Sequence, residues 1–326
     1  MNIRIKDICR FGKKSDIKAG EGNTKGKYMF FTSSIDKDKR IDKFDYDEEG
    51  IIMGTGGNAT LHYYSGKFAV STDCLVLLPN SSYKCKYLYY FFLHNMRVLE
   101  GGFRGAGLKH TSKSYIENIE LTKTHSLLEQ DKIISVLSNI DNTIVLQNKR
   151  LKLLNELTRS LFIEMFGDPI NNSKNLPTTK LIDVVMLQRG YDLPINERAH
   201  DGNIPVFGSN GILGYHNKSK VVGGGVITGR SGSIGSVYYT KEDYWPLNTS
   251  LFSVKLNGNN IVFIAYLLKF FDLSRFADGT GVPTLNRNII HDKQIINVIQ
   301  SEQNRFAEYV SSIDKSKFAS FSHLSA

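Results

Sequence analysis

"EQDKIISVLSNID" runs from Glu129 to Asp141, and "EQNRFAEYVSSID" runs from Glu302 to Asp314. Five of the thirteen positions are identical and most of the rest are conservative, at a separation of 173 residues. A repeat at long period decides architecture before any local pattern does. The likeness continues upstream. "IIMGTGGNATLHYYSG" from Ile51 matches "VITGRSGSIGSVYYTK" from Val226, setting Gly54 on Gly229, Gly57 on Gly232 and Tyr63-Tyr64 on Tyr238-Tyr239. "TDCLVLLP" matches "NTSLFSVK", "YLYYFFLHNM" matches "FIAYLLKFFD", and "RGAGLKHTSKSYI" matches "DGTGVPTLNRNII", with the offset always between 173 and 176. A colinear series of this length is a duplication.

Each copy has one internal plan. Short runs of β-branched and aromatic residues broken by glycine predict strands. A short apolar helix follows, then a glycine loop, another short strand, and a long helical pattern opened by Ser126 or Ser301. Ser126 has Glu129 three residues on, a capping box; Ser301 has Asn304 there and does not complete one.

The helix after Ser126 carries a heptad seam. Ile133, Leu137, Ile140, Ile144, Gln147, Leu151, Leu154, Thr158, Leu161 and Met165 step alternately by four and three, eight of the ten apolar. Gly167 and Pro169 in "FGDP" end it. A helix of this kind, roughly 48 Å from Ile133 to Met165 at 1.5 Å per residue, needs a partner. The second copy offers one, with Phe306, Val310 and Ile313 at the seam positions. The pattern then decays through Lys317, Ser320 and Leu324 to the end at Ala326, which predicts a shortened final helix. The fold expected is α+β. Two pseudo-repeat α/β domains, 1–125 and 168–300, are separated by a central helix, 126–167, with which the short helix 301–326 pairs as an antiparallel coiled coil.

The 326 residues suffice for two ordinary domains, and the net charge of +9 leans towards a polyanionic partner. Three cysteines without a CxxC pair read as reduced thiols in a cytoplasmic protein. No apolar run is long enough to span a membrane, and the N-terminal stretch has no signal-peptide h-region.

Two glycine-punctuated units, each followed by a long helix opened near "EQ", resemble the specificity subunit of type I restriction-modification enzymes. "GTGVPTLNRNII" and "LEQDKIISVLSNID…QNKRLKLLNELTRSLFIEMFG" carry the resemblance, which covers essentially the whole chain. It implies two target-recognition domains, each reading half of a bipartite site in double-stranded DNA. It also implies that the helices act as a ruler and as a docking surface for methyltransferase subunits, two in number, with restriction subunits in the full complex. The shortened final helix departs from that pattern. It leaves open a silent or orphan cassette that binds DNA without supporting an active complex.

DNA binding needs phosphate contacts for affinity and base-edge contacts for sequence. Glycine-rich loops bring backbone amides near phosphates, and an arginine among them can grip guanine with two parallel bonds. The first unit offers Thr55 and Asn58 in its glycine loop, then Arg104, Lys109 and Lys113 in its exit loop. The second offers Ser209, Asn210, Tyr215, His216 and Lys218. It adds Thr228, Arg230, Ser231 and Ser233 in the glycine loop, then Thr284, Asn286 and Arg287 at the exit. The plain alternatives are tight turns for the glycines, ordinary surface for the arginines, and a core place for one tyrosine of each pair.

An enzyme acting on nucleic acid is the competing class. "GDPIN" at Gly167 lacks the second proline and the aromatic residue of an adenine methyltransferase tetrapeptide, and no GxxxxGK[ST] occurs. Neither does HExxH or a His/Cys ligand cluster. No catalytic residue, cofactor or metal is expected. A β-rich carbohydrate binder with a tyrosine platform is a third class, against which the coiled-coil spacer argues.

Overall fold

The computed structural model describes residues 3–121, 123–199, 201–279 and 281–322. The chain forms two compact units, Met1–Val145 and Leu146–Ala326. The central helix, Leu127–Phe166, contributes to both.

The first unit is built on a six-stranded sheet. Its order is Cys9–Phe11, Cys74–Pro79, Tyr46–Gly54, Leu61–Val70, Tyr28–Phe31 and Arg40–Ile41. All pairs are antiparallel except Tyr28–Phe31 with Leu61–Val70. The second unit repeats the first four of these strands as Met186–Arg189, Ser250–Lys255, Gly225–Gly229 and Val237–Thr240, again antiparallel.

Side chains alternate across a strand, and here both faces are covered. Ile51, Met53 and Leu77 enter one buried cluster, which holds the helix Cys85–His94. Their neighbours Ile52, Val76 and Leu78 enter another. In the second unit Val226 and Leu251 face the cluster around the helix Ile261–Phe271, while Ile227 and Phe252 face the opposite one. Burial on two sides explains why these strands read as continuous apolar runs.

The repeated "EQ" has a structural job. Gln130 and Gln303 are fully buried, 0% and 1% exposed. Gln130 Oε1 accepts from Lys84 N–H at 2.8 Å, and its Nε2 donates to Ser82 O and His125 O. Gln303 Oε1 accepts from Asn260 N–H at 2.8 Å, and its Nε2 donates to Asn259 Oδ1 and Val298 O. Each glutamine thus clips a long helix to the first turn of the short apolar helix of its own unit. The closing aspartates act similarly. Asp141 accepts from Tyr90 OH at 2.8 Å, and Asp314 accepts from Tyr239 OH at 3.3 Å.

The capping box at Ser126 forms, with Glu129 accepting from Ser126 N–H at 2.8 Å and Ser126 Oγ accepting from Glu129 N–H. Gly167 closes the central helix at φ 76°, with its N–H donating to Ile163 O. The final helix runs Gln300–Ser322, and Leu324 lies outside the described residues.

Within the second unit, Phe306 near the start of the final helix packs on Phe162 and Phe166 at the end of the central one. The ring centroids stand 5.4 and 5.7 Å apart. That contact is the one an antiparallel pair requires. Phe306 and Val310 are buried, and Ile313, Leu151, Leu154 and Leu161 are half-buried. The seam is not uniformly core, however. Ile133 and Leu137 are half-buried, whereas Ile140 and Ile144 are 47% and 44% exposed. The fully buried aromatic anchors stand one place beyond the heptad count, at Phe162 after Leu161 and Phe166 after Met165.

Candidate nucleic-acid interface

The glycine loop and the exit loop of each unit are stitched together by main-chain bonds. In the first unit Gly57 N–H donates to Lys109 O at 2.9 Å and Thr111 N–H donates to Thr55 O at 3.0 Å. In the second, Gly232 N–H donates to Pro283 O at 3.2 Å and Leu285 N–H donates to Arg230 O at 2.8 Å. A third segment closes each clamp. Thr55 N–H donates to Asp73 O at 2.8 Å, as Arg230 N–H does to Thr249 O at 2.9 Å. The duplication therefore holds at the level of single hydrogen bonds, with Arg230 in the place of Thr55.

What the clamps display differs. In the first unit Thr55 is turned inward, its hydroxyl donating to Asp73 O at 3.0 Å. Asn58 and Lys109 are exposed, and Arg104 is exposed beside its main-chain bridge to His110. Lys113 is engaged locally, with its ammonium 3.6 Å from Glu117 and 4.8 Å from the centre of the Phe11 ring.

In the second unit Arg230, Asn286 and Arg287 come together around a cleft of about 720 Å³. Ser231 lies on the clamp through its bridge to Thr284, which also lines the cleft. Asn286 spends its side-chain oxygen on Asn288 N–H, capping the short helix Arg287–His291. Ser209, Asn210, Lys218 and Ser233 do not line this cleft; Asn210, Lys218 and Ser233 are exposed elsewhere on the unit and Ser209 is half-buried.

Two residues singled out by type are corrected by their burial. Thr228 is 0% exposed inside its strand. His216 is 7% exposed, its Nδ1 accepting from Ala199 N–H and its ring edge-on to Trp245. Both side chains are buried.

Sequence reasoning missed Arg189, Asp192 and Gln188, which complete the cleft. The turn that presents them passes close to another segment of backbone. A Cβ on Gly190 would meet Leu247 O at 2.3 Å, so only glycine fits. The signal in the sequence was "QRGYD", a glycine following charged and polar residues at a strand end.

Three arginines against one aspartate give the cleft a positive balance. Lys180 Nζ stands 2.9 Å from Asp292, an ion pair that holds the aspartate below its usual range. Among the described residues no cluster of His, Cys, Asp and Glu could hold a metal ion, and no helix is long and apolar enough to cross a membrane.

Comparison with known proteins converges on one group. The chain is similar to the S subunit of the type I restriction-modification system from M. genitalium, with a TM-score of 0.76 at 17% identity over 100% of this chain and 92% of that one. It also resembles a chain from a structure concerned with assembly and conformational transition of the type I R-M system. There the TM-score is 0.50 at 13% identity, over 98% and 91% of the two chains. These likenesses concern the fold. In sequence, it is 24% identical over 224 residues to the type I restriction enzyme MjaVIII specificity subunit of Methanocaldococcus jannaschii, which is 61% of this chain. The match spans about half of that relative, 52% of its length. The family model of the type I restriction modification DNA specificity domain matches twice, at residues 1–156 and 174–323, and the chain belongs to that family.

Proposed function

We propose that this chain is the non-catalytic DNA-recognition subunit of a type I restriction-modification system. The first unit reads one half of a bipartite duplex site and the second unit reads the other. The long helices between them, within 126–167 and 301–326, set the gap and dock methyltransferase subunits, two in number, with restriction subunits joining the full complex. The observation that carries this reading is the doubled main-chain clamp, which offers Arg230, Arg287 and Arg189 at one cleft in the second unit. Such a socket suits a polyanion whose groove edges present paired acceptors. The specificity-subunit relatives support the assignment of role.

Co-expression with a methyltransferase subunit in a host lacking modification, followed by sequencing for methyladenine, tests it. A methylated, asymmetric, bipartite motif is expected, because Thr55 and Arg230 occupy equivalent places and cannot read alike. Methylation at a continuous, palindromic motif would count against two independent readers.

A further inference from the structure

The guanidinium of Arg230 is not free to swing. Its Nε donates to Asn248 O at 2.9 Å, while the side-chain amide of Asn248 donates to Asp192 Oδ1. Arg230 and Asp192 both line the cleft. Among the described residues the Nε bond is the only hydrogen bond of that guanidinium, so Nη1 and Nη2 remain as an unpaired fork. The residue is half-buried, which limits the rotamers open to it.

We infer that Asp192, acting through Asn248, is a positioning residue that aims the Arg230 fork at a guanine of the second half-site. The inference rests on the DNA-reading role proposed above. An arginine tied at Nε presents two parallel N–H groups end-on, which match the O6 and N7 acceptors on the major-groove edge of guanine. A phosphate could also accept such a fork, but a phosphate contact carries no sequence preference, whereas a guanine contact does. The tie also lowers the rotamer entropy lost on binding, since one end of the side chain is already held. The equivalent place in the first unit holds Thr55, whose hydroxyl is turned onto Asp73 O, so this device belongs to the second unit alone.

The test is enrichment of binding sites from a random duplex library by the full chain, wild type and variants. Wild type is expected to enrich a two-part motif, and R230A to lose its preference for guanine at one base pair. D192L is expected to lose that same preference by about tenfold, with the rest of the motif unchanged. D192N keeps the Oδ1 acceptor and is expected to retain the preference. Thermal unfolding of each variant checks the fold. If D192L does not fold, N248A removes the same bond from its other end and is read instead.

Retention of the full motif by D192L and N248A, with R230A still losing one base pair, would overturn the positioning role and leave the DNA reading intact. Equal weakening by R230A on all sequences would make Arg230 a phosphate contact and overturn the inference. Enrichment of no motif by wild type would overturn the proposed function and this inference with it.

Discussion

A buried glutamine is costly unless each of its polar atoms is used. Gln130 and Gln303 meet that condition, each with one accepted and two donated bonds. Replacing Gln303 by Leu keeps the volume roughly and strands Asn260 N–H and Val298 O. A loss of about 1–3 kcal/mol for each orphaned group is expected, read as a lower midpoint in calorimetry of the full chain; an unchanged midpoint would remove the clip from the account. His291 gives a second test at this scale. Burial, with Arg287 beside it, holds its imidazole below the ordinary value of 6.5, while Asp292 works the other way. Its Nε2 accepts from Leu187 N–H at 3.0 Å, which only the ring with that nitrogen unprotonated can do. The unfolded chain therefore takes up the proton first. Stability is full above about pH 6.5 and falls as pH drops below that value, levelling off once the folded ring is also protonated. H291Q is expected to flatten part of that slope in thermal unfolding between pH 8 and 5. The repeated "EQ" located Gln130 and Gln303 but not their use, because a glutamine on a helical wheel looks like surface until its partners 43 to 48 residues away are known.

At the scale of elements, the central helix shows both the reach and the limit of periodicity. Its existence and its ends follow from the apolar spacing, the capping box and Gly167. Its buried line does not follow the heptad count. A 3.6-residue helix drifts about 20° per heptad against a 3.5 repeat, so four heptads from Ile133 the same face is occupied by Phe162, one place beyond Leu161. Phe162 and Phe166 are buried accordingly, at 0% and 2%. The final helix is held to them by Phe306, which also lies edge-on to Tyr266. Truncating F306A removes a fully buried ring and is expected to cost about 3–5 kcal/mol, measured by denaturant unfolding of the full chain. A cost under 1 kcal/mol would mean the pair is held elsewhere. The cleft was less legible than the helix. Arg189, Asp192, Arg230 and Arg287 span nearly a hundred positions, and only the pairing of strand ends brings them to one place.

At the scale of the whole molecule, the duplication was the most legible feature, since glycines at fixed offsets survive where side chains drift. Two outcomes follow if the units read DNA as proposed. Affinity for duplex should fall steeply with salt, with a logarithmic slope of about −0.9 per phosphate neutralised; a slope near zero would leave no role for the net charge of +9. Inserting one heptad between Ile144 and Leu154 adds roughly 10 Å of helix and turns it by only about 20°. The methylated motif should then keep both half-site sequences and widen its unread gap, whereas altered half-sites would contradict a spacer role.

The clamp that joins glycine loop to exit loop consists of amide and carbonyl groups, with Thr55 and Arg230 contributing backbone at the same point. Replacing a side chain on such a frame, proline aside, leaves its bonds in place, so the letter displayed can change while the mount persists. If the units read DNA as proposed, the two halves are free to acquire different vocabularies on one inherited grammar, and a new target can arise by single substitutions without a passage through an unfolded ancestor.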